Sequence, residues 1–386
     1  MINTRSICFV VSSPFTVNGF LINHLMWLSK YFEVTLFVNL EREKLSARLD
    51  LSRIKVVDIP LERKIKIFKD INAYWQLFKY FSTSNFISVH SVTPKAGLLA
   101  MSAAFFAKIP NRHHTYTGQI WVRRKGLYRT FFKKIDWVIS QCATFVMADS
   151  TSQIQFLLKE GVCKREKIGM LGSGSISGVD HNIFKSDEDI RAENRKKFLI
   201  SEDVCLFLYV GRISKDKGIY DLLKAFAELK KKYQNIALWI VGPDEEGIAE
   251  KLNYQDPELY SSINWIGLSS NPEIYMASAD ILLLPSYREG FGTVIIEAAS
   301  CSLPTIAYKI DGVIDAIVDG QTGLLVKKGD IRDFRNKMEV LYCDPRLRLK
   351  LGASAQKRAN ADFSSRTITK AWLAFYRHLS LKKVNK

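Results

Sequence analysis

The sequence is most informative at residues 285–299, which read Pro-Ser-Tyr-Arg-Glu-Gly-Phe-Gly-Thr-Val-Ile-Ile-Glu-Ala-Ala. The apolar run before them, residues 280–284, is typical of a buried strand, and residues 294–300 are typical of a helix. Gly290 and Gly292 lie at the turn between the two. Because such a turn presents unpaired N–H groups at the positive end of a helix, this stretch predicts a phosphate site.

A second motif has the same layout, since Val-Gly-Arg-Ile-Ser-Lys-Asp-Lys-Gly at 210–218 follows a predicted strand and opens a helix. Arg212 can bind phosphate oxygens with its fork of N–H donors, and Lys217 adds a point charge. Two surface cations on a loop would explain this motif taken alone. Together with the turn about 80 residues later, it predicts a site for a diphosphate.

Glu289 and Glu297 stand on either side of the Gly290–Gly292 turn. A helix-capping acid and a solvated glutamate would explain the two acids by themselves. The whole string, however, resembles the motif of glycosyltransferase family 4, and residues 211–218 resemble its G-R-x-x-x-x-K-G element. The resemblance implies a retaining glycosyltransferase of the GT-B fold: two Rossmann-like domains with parallel sheets facing across a cleft, and a C-terminal helix crossing back to the first domain.

Length and composition agree with two globular domains. The chain has 386 residues, of which 47% are hydrophobic and 25% charged, as in proteins with full-sized cores. Its six cysteines form no C-x-x-C pair, which is typical of reduced cysteines in a cytosolic protein. The chain opens into a predicted strand at 6–11, and no apolar run approaches the ~20 residues that span a bilayer. We therefore expect neither a signal peptide nor a membrane span.

The chain alternates apolar strand-like runs with helical segments, which predicts parallel sheets covered on both faces. The run Gly-Ser-Gly-Ser-Ile-Ser-Gly at 172–178 interrupts this alternation and is predicted to be a linker, followed by a charged stretch at 185–197. We place an N-terminal acceptor and membrane-side domain at residues 1–182, completed by a C-terminal helix at 364–386. A donor domain then occupies residues 183–363.

The net charge of +17 is unevenly distributed. Residues 1–185 carry 26 Lys and Arg against 12 Asp and Glu, whereas residues 186–386 carry 30 against 27. A basic surface attracts polyanions in general, so charge alone leaves nucleic acid, anionic lipid and phosphorylated ligands open. Acids flank the presumed phosphate site in the second half and would repel nucleic acid, which we therefore do not expect as a partner.

The excess of positive charge in the first half is centred on residues 121–134, which read Trp-Val-Arg-Arg-Lys-Gly-Leu-Tyr-Arg-Thr-Phe-Phe-Lys-Lys. Such a mixture of aromatic residues and cations is typical of helices at anionic membrane surfaces, although an ordinary helix packed on a sheet would explain the aromatics equally well. Residues 61–69 form a second candidate. Thr-Pro-Lys at 93–95 begins a predicted helix and offers a further anion site. The acceptor and membrane candidates are Lys95, Arg123, Arg124, Lys125 and Arg129.

Metal and dinucleotide sites are not expected. His113 and His114 have no carboxylate or cysteine at ligand spacing, and the Asp-Glu-Asp run at 187–189 matches D-x-D but lies in the charged stretch, where we expect it to face solvent. No glycine-rich turn of the second domain spells G-x-G-x-x-G with a following acid, which disfavours nicotinamide binding. We predict no metal and no other cofactor.

The family resemblance also implies roles for single residues. Asn18-Gly19 stands where family members commonly carry Gly-Gly in a loop lining the cleft, and His114 where related enzymes place a histidine facing the donor sugar. The implied catalytic residues are Glu289, Arg212, Lys217 and His114. The implied donor-binding residues are Gly19, Gly211, Arg212, Lys217, Glu289, Gly290, Phe291, Gly292, Thr293 and Glu297.

Residues 117–121 and 172–180 resemble the subgroup that builds bacterial surface polysaccharides on a polyprenyl carrier. This resemblance implies transfer of a sugar from a UDP-sugar to a polyprenyl-linked saccharide of O-antigen, capsule or exopolysaccharide. The subgroup implies that the transferred sugar is an N-acetylhexosamine. It places the protein in the cytoplasm, peripherally on the inner face of the membrane. Two alternatives stay open: a GT-B nucleotide-sugar epimerase or hydrolase, and a non-enzymatic membrane or nucleic-acid binding module.

Overall fold

The computed structural model describes residues 5–41, 43–62, 65–122 and 124–381. They form two compact units. The first unit contains the described residues up to Ser177 and those from Ser365 onward, and the second is Gly178–Ser364. Each unit is an α/β domain built on a parallel sheet, which confirms the predicted fold class.

The first unit contains a seven-stranded sheet in the order β3-β2-β1-β4-β5-β6-β7. All of its strand pairs are parallel. The strands are β1 (Ser6–Val10), β2 (Glu33–Val38), β3 (Ile54–Asp58), β4 (Phe86–Val92), β5 (Asn111–Tyr116), β6 (Phe145–Ala148) and β7 (Ile168–Gly169).

Helices cover both faces of this sheet. The described helices of the first unit are α1 (Pro14–Thr16), a π-helical turn (Val17–Leu21), α2 (Ile22–Leu28), α3 (Ile67–Thr83), α4 (Pro94–Phe106), α5 (Gly126–Cys142), α6 (Thr151–Lys159) and a 3₁₀ turn (Arg165–Lys167). Every residue of β4 is buried. This continuous burial is what a parallel strand between two helical layers requires, and it explains the unbroken apolar runs in the sequence.

The second unit contains a six-stranded sheet in the order β10-β9-β8-β11-β12-β13, again with parallel pairs only. The strands are β8 (Cys205–Val210), β9 (Ile236–Val241), β10 (Ile263–Gly267), β11 (Ile281–Leu284), β12 (Thr305–Lys309) and β13 (Gly323–Lys327). The strand order reverses between β8 and β11, because β9 and β10 continue on one side while β12 and β13 continue on the other.

The helices of the second unit alternate with these strands. They are α7 (Glu188–Lys197), a 3₁₀ turn (Lys215–Lys217), α8 (Ile219–Lys230), α9 (Ile248–Gln255), α10 (Pro257–Ser261), α11 (Pro272–Ser278), α12 (Thr293–Ser300), α13 (Val313–Ala316), α14 (Ile331–Cys343) and α15 (Pro345–Asp362). The final helix, α16 (Ser365–Leu381), belongs to the first unit. Its residues Ile368, Trp372 and Tyr376 are buried there at intervals of four, so one helical face packs on the domain.

The boundary between the units lies five residues before the predicted one. Residues 178–182 belong to the second unit because the Val179 N–H donates to the carbonyl of Phe363 at 2.7 Å and Val179 pairs with Ser364. The predicted linker is also mostly fixed to the first unit. Ser175 N–H donates to the Asp149 carbonyl at 2.7 Å, and Ile176 is buried.

The predicted charged stretch at 185–197 is largely the helix α7 rather than a linker. Asp187 caps its N-terminus by accepting from the Ile190 N–H, and it pairs with Lys185. Arg195 is buried and its Nη2 lies 2.7 Å from Oδ2 of Asp280. The ion pair of Arg195 with Asp280, which directly precedes β11, thus holds α7 in place although the sequence of α7 has almost no apolar stripe.

Candidate active site

The two predicted phosphate motifs follow β8 and β11, the two neighbouring strands between which the strand order of the second sheet reverses. Ligands of open parallel sheets bind outside the carboxyl ends of the strands at such a point, because the connecting loops diverge there to opposite faces. The topology of the second unit therefore brings Arg212 and Lys217 to the same edge of the sheet as Glu289.

Direct contacts join the two loops. Lys217 Nζ lies 2.6 Å from Glu289 Oε1, and both side chains are largely buried, with 18% and 12% of their surface exposed. The Tyr287 N–H donates to the carbonyl of Asp216 at 3.0 Å. The cation of one motif and the acid of the other thus form a single charged pair.

Both loops end at the N-terminus of a helix. Gly218 and Gly292 have φ values of 73° and 76° and cap α8 and α12, and neither helix has a side-chain cap. A Cβ on Gly218 would lie 1.9 Å from the carbonyl oxygen of Pro285, so the close approach of the two loops requires glycine. The N–H groups at these two helix starts are suited to an anion.

Arg212 is held by two carboxylates. Its Nη1 lies 2.7 Å from Glu245 Oε2, and its Nη2 lies 3.3 Å from Asp216 Oδ2. Burial would lower the pKa of Arg212, but the hydrogen bond to Glu245 and the charge of Asp216 outweigh it and raise that pKa. The guanidinium is therefore fixed and charged beside the Lys217–Glu289 pair.

Asp216 also binds Arg288, a residue that sequence analysis did not select. Arg288 Nη2 lies 3.2 Å from Asp216 Oδ2, and Ser214 Oγ donates to Oδ1 at 2.6 Å. Burial would raise the pKa of Asp216, yet the Ser214 hydrogen bond and the charges of Arg212 and Arg288 hold that pKa below its usual value. Asp216 thus links the two arginines through one ionised carboxylate.

The loop before Glu289 has a buried anchor. Tyr287 and Tyr308 both donate their hydroxyl groups to Oδ2 of Asp221, at 2.6 Å and 2.7 Å. Asp221 lies in the first turn of α8. This anchor fixes the backbone of the Glu289 loop against the helix that follows Lys217, and no sequence motif indicated it because its three members are far apart in the chain.

Glu297 lies on α12, one turn after Thr293, and its side chain is partly buried. Burial, with a smaller contribution from the charge of Glu273, raises the pKa of Glu297 to about 7. Perturbed acids of this kind are common at binding and catalytic sites. With this pKa, Glu297 changes between its protonated and ionised forms near neutral pH.

The remaining predicted donor residues of the second unit present mainly backbone groups, rather than side chains, at the candidate site. Phe291 is buried and packs edge-on against Phe363 at 5.2 Å, so its side chain belongs to the core. Gly211 follows β8, and the Gly211 N–H donates to the Val241 carbonyl at 2.9 Å. Gly290 stands between Glu289 and Phe291, and Thr293 is the first residue of α12.

In the first unit, Gly19 lies in the π-helical turn Val17–Leu21 rather than in a loop. The expected loop is wrong because the helix begins at Pro14 and continues through this turn into α2. Asn18 Nδ2 donates to the Lys44 carbonyl at 3.1 Å, and its Oδ1 accepts from the Ser46 N–H at 2.9 Å. These bonds tie the Asn18–Gly19 segment to the loop that follows β2.

His114 is placed differently from the prediction that it faces the donor sugar. It lies within β5, has no exposed surface, and its Nδ1 is hydrogen-bonded to Ser91 Oγ at 2.9 Å. Its ring packs against Tyr116, with centroids 4.6 Å apart, and against Gly97 of α4. Burial lowers the pKa of His114 to about 3. His114 is therefore a neutral residue in the core of the first unit.

The acceptor candidates belong to the first unit. Lys95 Nζ is 2.5 Å from Asp70 Oδ1, and Arg129 Nη2 is 2.8 Å from Glu160 Oε2, so both are already paired with acids. Arg124 and Lys125 are exposed at the start of α5. Arg123 lies outside the described residues.

Within residues 5–41, 43–62, 65–122 and 124–381, no group of three or more His, Cys, Asp or Glu side chains is placed to hold a metal ion. In the same part of the chain, no helix combines the length and apolar character needed to cross a bilayer.

Solved structures share this architecture over nearly the whole chain. The Anabaena protein HepE, solved with UDP and glucose, superposes with a TM-score of 0.80 at 18% identity, covering 97% of this chain and 99% of that one. A sucrose-phosphate synthase from Thermosynechococcus elongatus superposes with a TM-score of 0.80 at 19% identity, covering 98% and 100%. These similarities establish the GT-B fold.

Sequence similarity establishes the family. Residues 190–358 match the family Glycosyl transferases group 1. The capsular polysaccharide biosynthesis glycosyltransferase CapM of Staphylococcus aureus is 33% identical over 311 residues, which cover 80% of this chain and 81% of CapM. EpsD of Bacillus subtilis, described as a glycosyltransferase, is 26% identical over 322 residues, 80% of this chain and 81% of EpsD. The chain belongs to the group 1 glycosyltransferases.

Proposed function

We propose that this glycosyltransferase moves a sugar from a UDP-sugar to a saccharide carried on polyprenyl diphosphate, with retention of the anomeric configuration. The observation that carries the proposal is the 2.6 Å pair of Lys217 and Glu289 beside the uncapped starts of α8 and α12. That arrangement offers cations and N–H groups to a diphosphate and an acid to the sugar attached to it.

The identity of the substrates is supported by similar proteins. HepE was solved with UDP and with UDP-glucose, and CapM is named for capsular polysaccharide biosynthesis. The polyprenyl-linked acceptor rests on the subgroup resemblance of residues 117–121 and 172–180. An N-acetylhexosamine is the sugar that this subgroup implies.

In the proposed reaction, the bond between the anomeric carbon and the phosphate oxygen breaks and leaves negative charge on the diphosphate. Arg212, Lys217 and the N–H groups at the two helix starts stabilise that charge, and they need little reorganisation because they are already fixed. We infer that these groups do so without a metal ion. Glu297 accepts hydrogen bonds from the ribose hydroxyls.

Glu289 orients the sugar through its hydroxyls while the acceptor oxygen attacks the same face that the diphosphate leaves. The acceptor proton passes to the departing phosphate oxygen, so no separate protein base is needed. His114 has no part in this scheme because it is buried in the core of the first unit. The reaction depends on positioning and electrostatic stabilisation by the second unit.

The test is a donor screen with the purified protein, a bacterial membrane extract as acceptor source, and EDTA throughout. We expect label from a UDP-N-acetylhexosamine to enter the lipid-extractable fraction, with the donor's anomeric configuration in the NMR spectrum of the product. Release of UDP without acceptor would instead indicate an epimerase or hydrolase. No transfer from any nucleotide sugar would refute the proposal.

A further inference from the structure

One carboxylate oxygen at the site serves two guanidinium groups. Asp216 Oδ2 lies 3.3 Å from Arg212 Nη2 and 3.2 Å from Arg288 Nη2. Arg212 has a second acid, Glu245, at 2.7 Å. Among the residues that the structure describes, Asp216 is the only carboxylate paired with Arg288. The positive charge of Arg288 is therefore compensated only by an acid that it shares.

The position of Arg288 is fixed from both sides. Before it, Tyr287 is held at its N–H by the Asp216 carbonyl and at its hydroxyl by Asp221. After it, Glu289 is paired with Lys217 at 2.6 Å. The Arg288 side chain itself keeps 25% of its surface exposed, so its guanidinium can turn toward a ligand while its backbone stays in place.

The N–H donors of Arg288 are suited to an anion at this edge of the sheet. Asp216 and Glu245 balance the charges of the two arginines, but in the described part of the chain Arg288 donates to Asp216 alone. Its other N–H groups are available to a phosphate group, which accepts such forks in a charge-assisted, bidentate manner. The nearby starts of α8 and α12 favour negative charge at the same place. Asp216, the shared acid, keeps both arginines within reach of such a phosphate group.

We propose that Arg288 is a third cation of the diphosphate site, held by Asp216 and binding the phosphate that carries the transferred sugar. This inference rests on the proposed function, in which the neighbouring Glu289 binds that sugar. It assigns to Asp216 the role of a positioning residue, because it holds Arg212 and Arg288 side by side without contacting the substrate itself.

The test compares UDP with UMP, which lacks the second phosphate, by calorimetry on the full chain. We expect Arg288→Gln to weaken UDP binding about tenfold to a hundredfold, the range of one charged hydrogen bond, and to change UMP binding less than about twofold. Arg288→Lys keeps the charge without the fork, and we expect it to recover part of the lost affinity. Lys215→Gln is the matched control, since Lys215 is an exposed cation on the neighbouring turn that carries Asp216.

The outcomes separate the two proposals. If the wild-type protein binds UDP and Arg288→Gln binds it equally well, or loses UMP to the same extent as UDP, Arg288 is not a ligand of the second phosphate. If the wild-type protein binds neither UDP nor any UDP-sugar, the proposed function itself fails. Thermal unfolding of each variant shows whether it is folded. If Arg288→Gln does not fold, UDP and UMP binding by Arg288→Lys is compared with that of the wild-type protein instead.

Discussion

Glu297 is an acid that changes charge in the range in which the enzyme would work. Burial, with a contribution from Glu273, raises the pKa of Glu297 to about 7 from 4.5. A carboxylate accepts hydrogen bonds from ribose hydroxyls more strongly than a protonated carboxyl does, because it accepts at both oxygens. The proposed ribose contact therefore makes nucleotide binding sensitive to pH.

We expect UDP affinity to rise roughly tenfold between pH 6 and pH 8, as the ionised fraction of Glu297 increases. Glu297→Gln keeps the shape and cannot ionise, so its UDP affinity should lose that part of the pH dependence. Calorimetry on both proteins at the same pH values cancels the ionisation of the phosphates of UDP. Parallel pH profiles for the two proteins would contradict the ribose contact.

At the scale of single residues, the sequence could indicate groups that stand in a motif. Lys217 and Glu289 were selected in this way, and the structure brings them together. Arg288 and Asp221 act through partners far along the chain, which spacing cannot show. His114 lies within β5, which continues to Tyr116 and is covered on both faces, so His113 and His114 point into opposite layers of the core. Its role toward the donor sugar stays a prediction.

The C-terminal helix α16 is attached to the first unit through buried histidines. His90 Nδ1 lies 2.7 Å from the Tyr376 hydroxyl, and His24 Nδ1 lies 2.9 Å from Thr369 Oγ1. Trp372 stacks on both imidazoles, with centroids 4.9 Å and 5.0 Å apart. Each neutral ring therefore serves both as a hydrogen-bonding group and as an aromatic surface for the helix.

Burial lowers the pKa values of these imidazoles, to about 4 for His24 and to about 3 for His113 beside Phe375. The unfolded chain binds their protons below pH 6.5 and the folded protein does not. Stability is therefore complete above pH 6.5 and falls as the pH decreases toward the folded pKa values. At pH 5 the loss is about 2 kcal/mol for each histidine.

We expect urea unfolding, followed by tryptophan fluorescence, to show a lower free energy of unfolding at pH 5 than at pH 7. His24→Gln should be less stable than the wild-type protein at pH 7 and should show a smaller pH dependence, since it removes one of the titrating groups. An unchanged free energy between pH 7 and pH 5 in the wild-type protein would show that these histidines are not buried in the neutral form.

Elements with a clear apolar pattern could be predicted from the sequence, including α16. α7 was not, because Glu-Asp-Ile-Arg-Ala-Glu-Asn-Arg-Lys-Lys offers almost no apolar stripe. It is held instead by the ion pairs of Arg191 and Arg195 with Asp280. A helix that depends on partners about 85 residues away cannot be recognised by periodicity.

At the scale of the whole molecule, the basic excess lies in the first unit, together with large exposed apolar side chains. Leu127 of α5 is 90% exposed and Phe68 of α3 is 89% exposed. Both helices pack beside α4 on the same face of the sheet. Apolar side chains next to cations, with Arg124 and Lys125 at the start of α5, are suited to an anionic lipid surface.

We therefore propose that the first unit binds an anionic membrane surface. Replacing Arg124 and Lys125 by Ser should reduce sedimentation with vesicles that contain anionic lipid. The reduction should be clearest at low salt, because salt screens the electrostatic attraction between exposed cations and the lipid. The matched control replaces Lys327 and Lys328, two exposed cations of the second unit. Equal sedimentation of both variants and the wild-type protein would remove the membrane contact from the account.

Calorimetric titration of UDP into the wild-type protein and Lys217→Ala tests the central claim most directly, because Lys217 joins the two helix starts through Glu289. We expect the wild-type protein to bind UDP and Lys217→Ala to bind it at least about tenfold more weakly, as loss of one charged contact predicts. Lys215→Ala, on the same turn, should bind as the wild-type protein does. Equal affinity of Lys217→Ala and the wild-type protein would contradict a diphosphate site at this edge of the sheet.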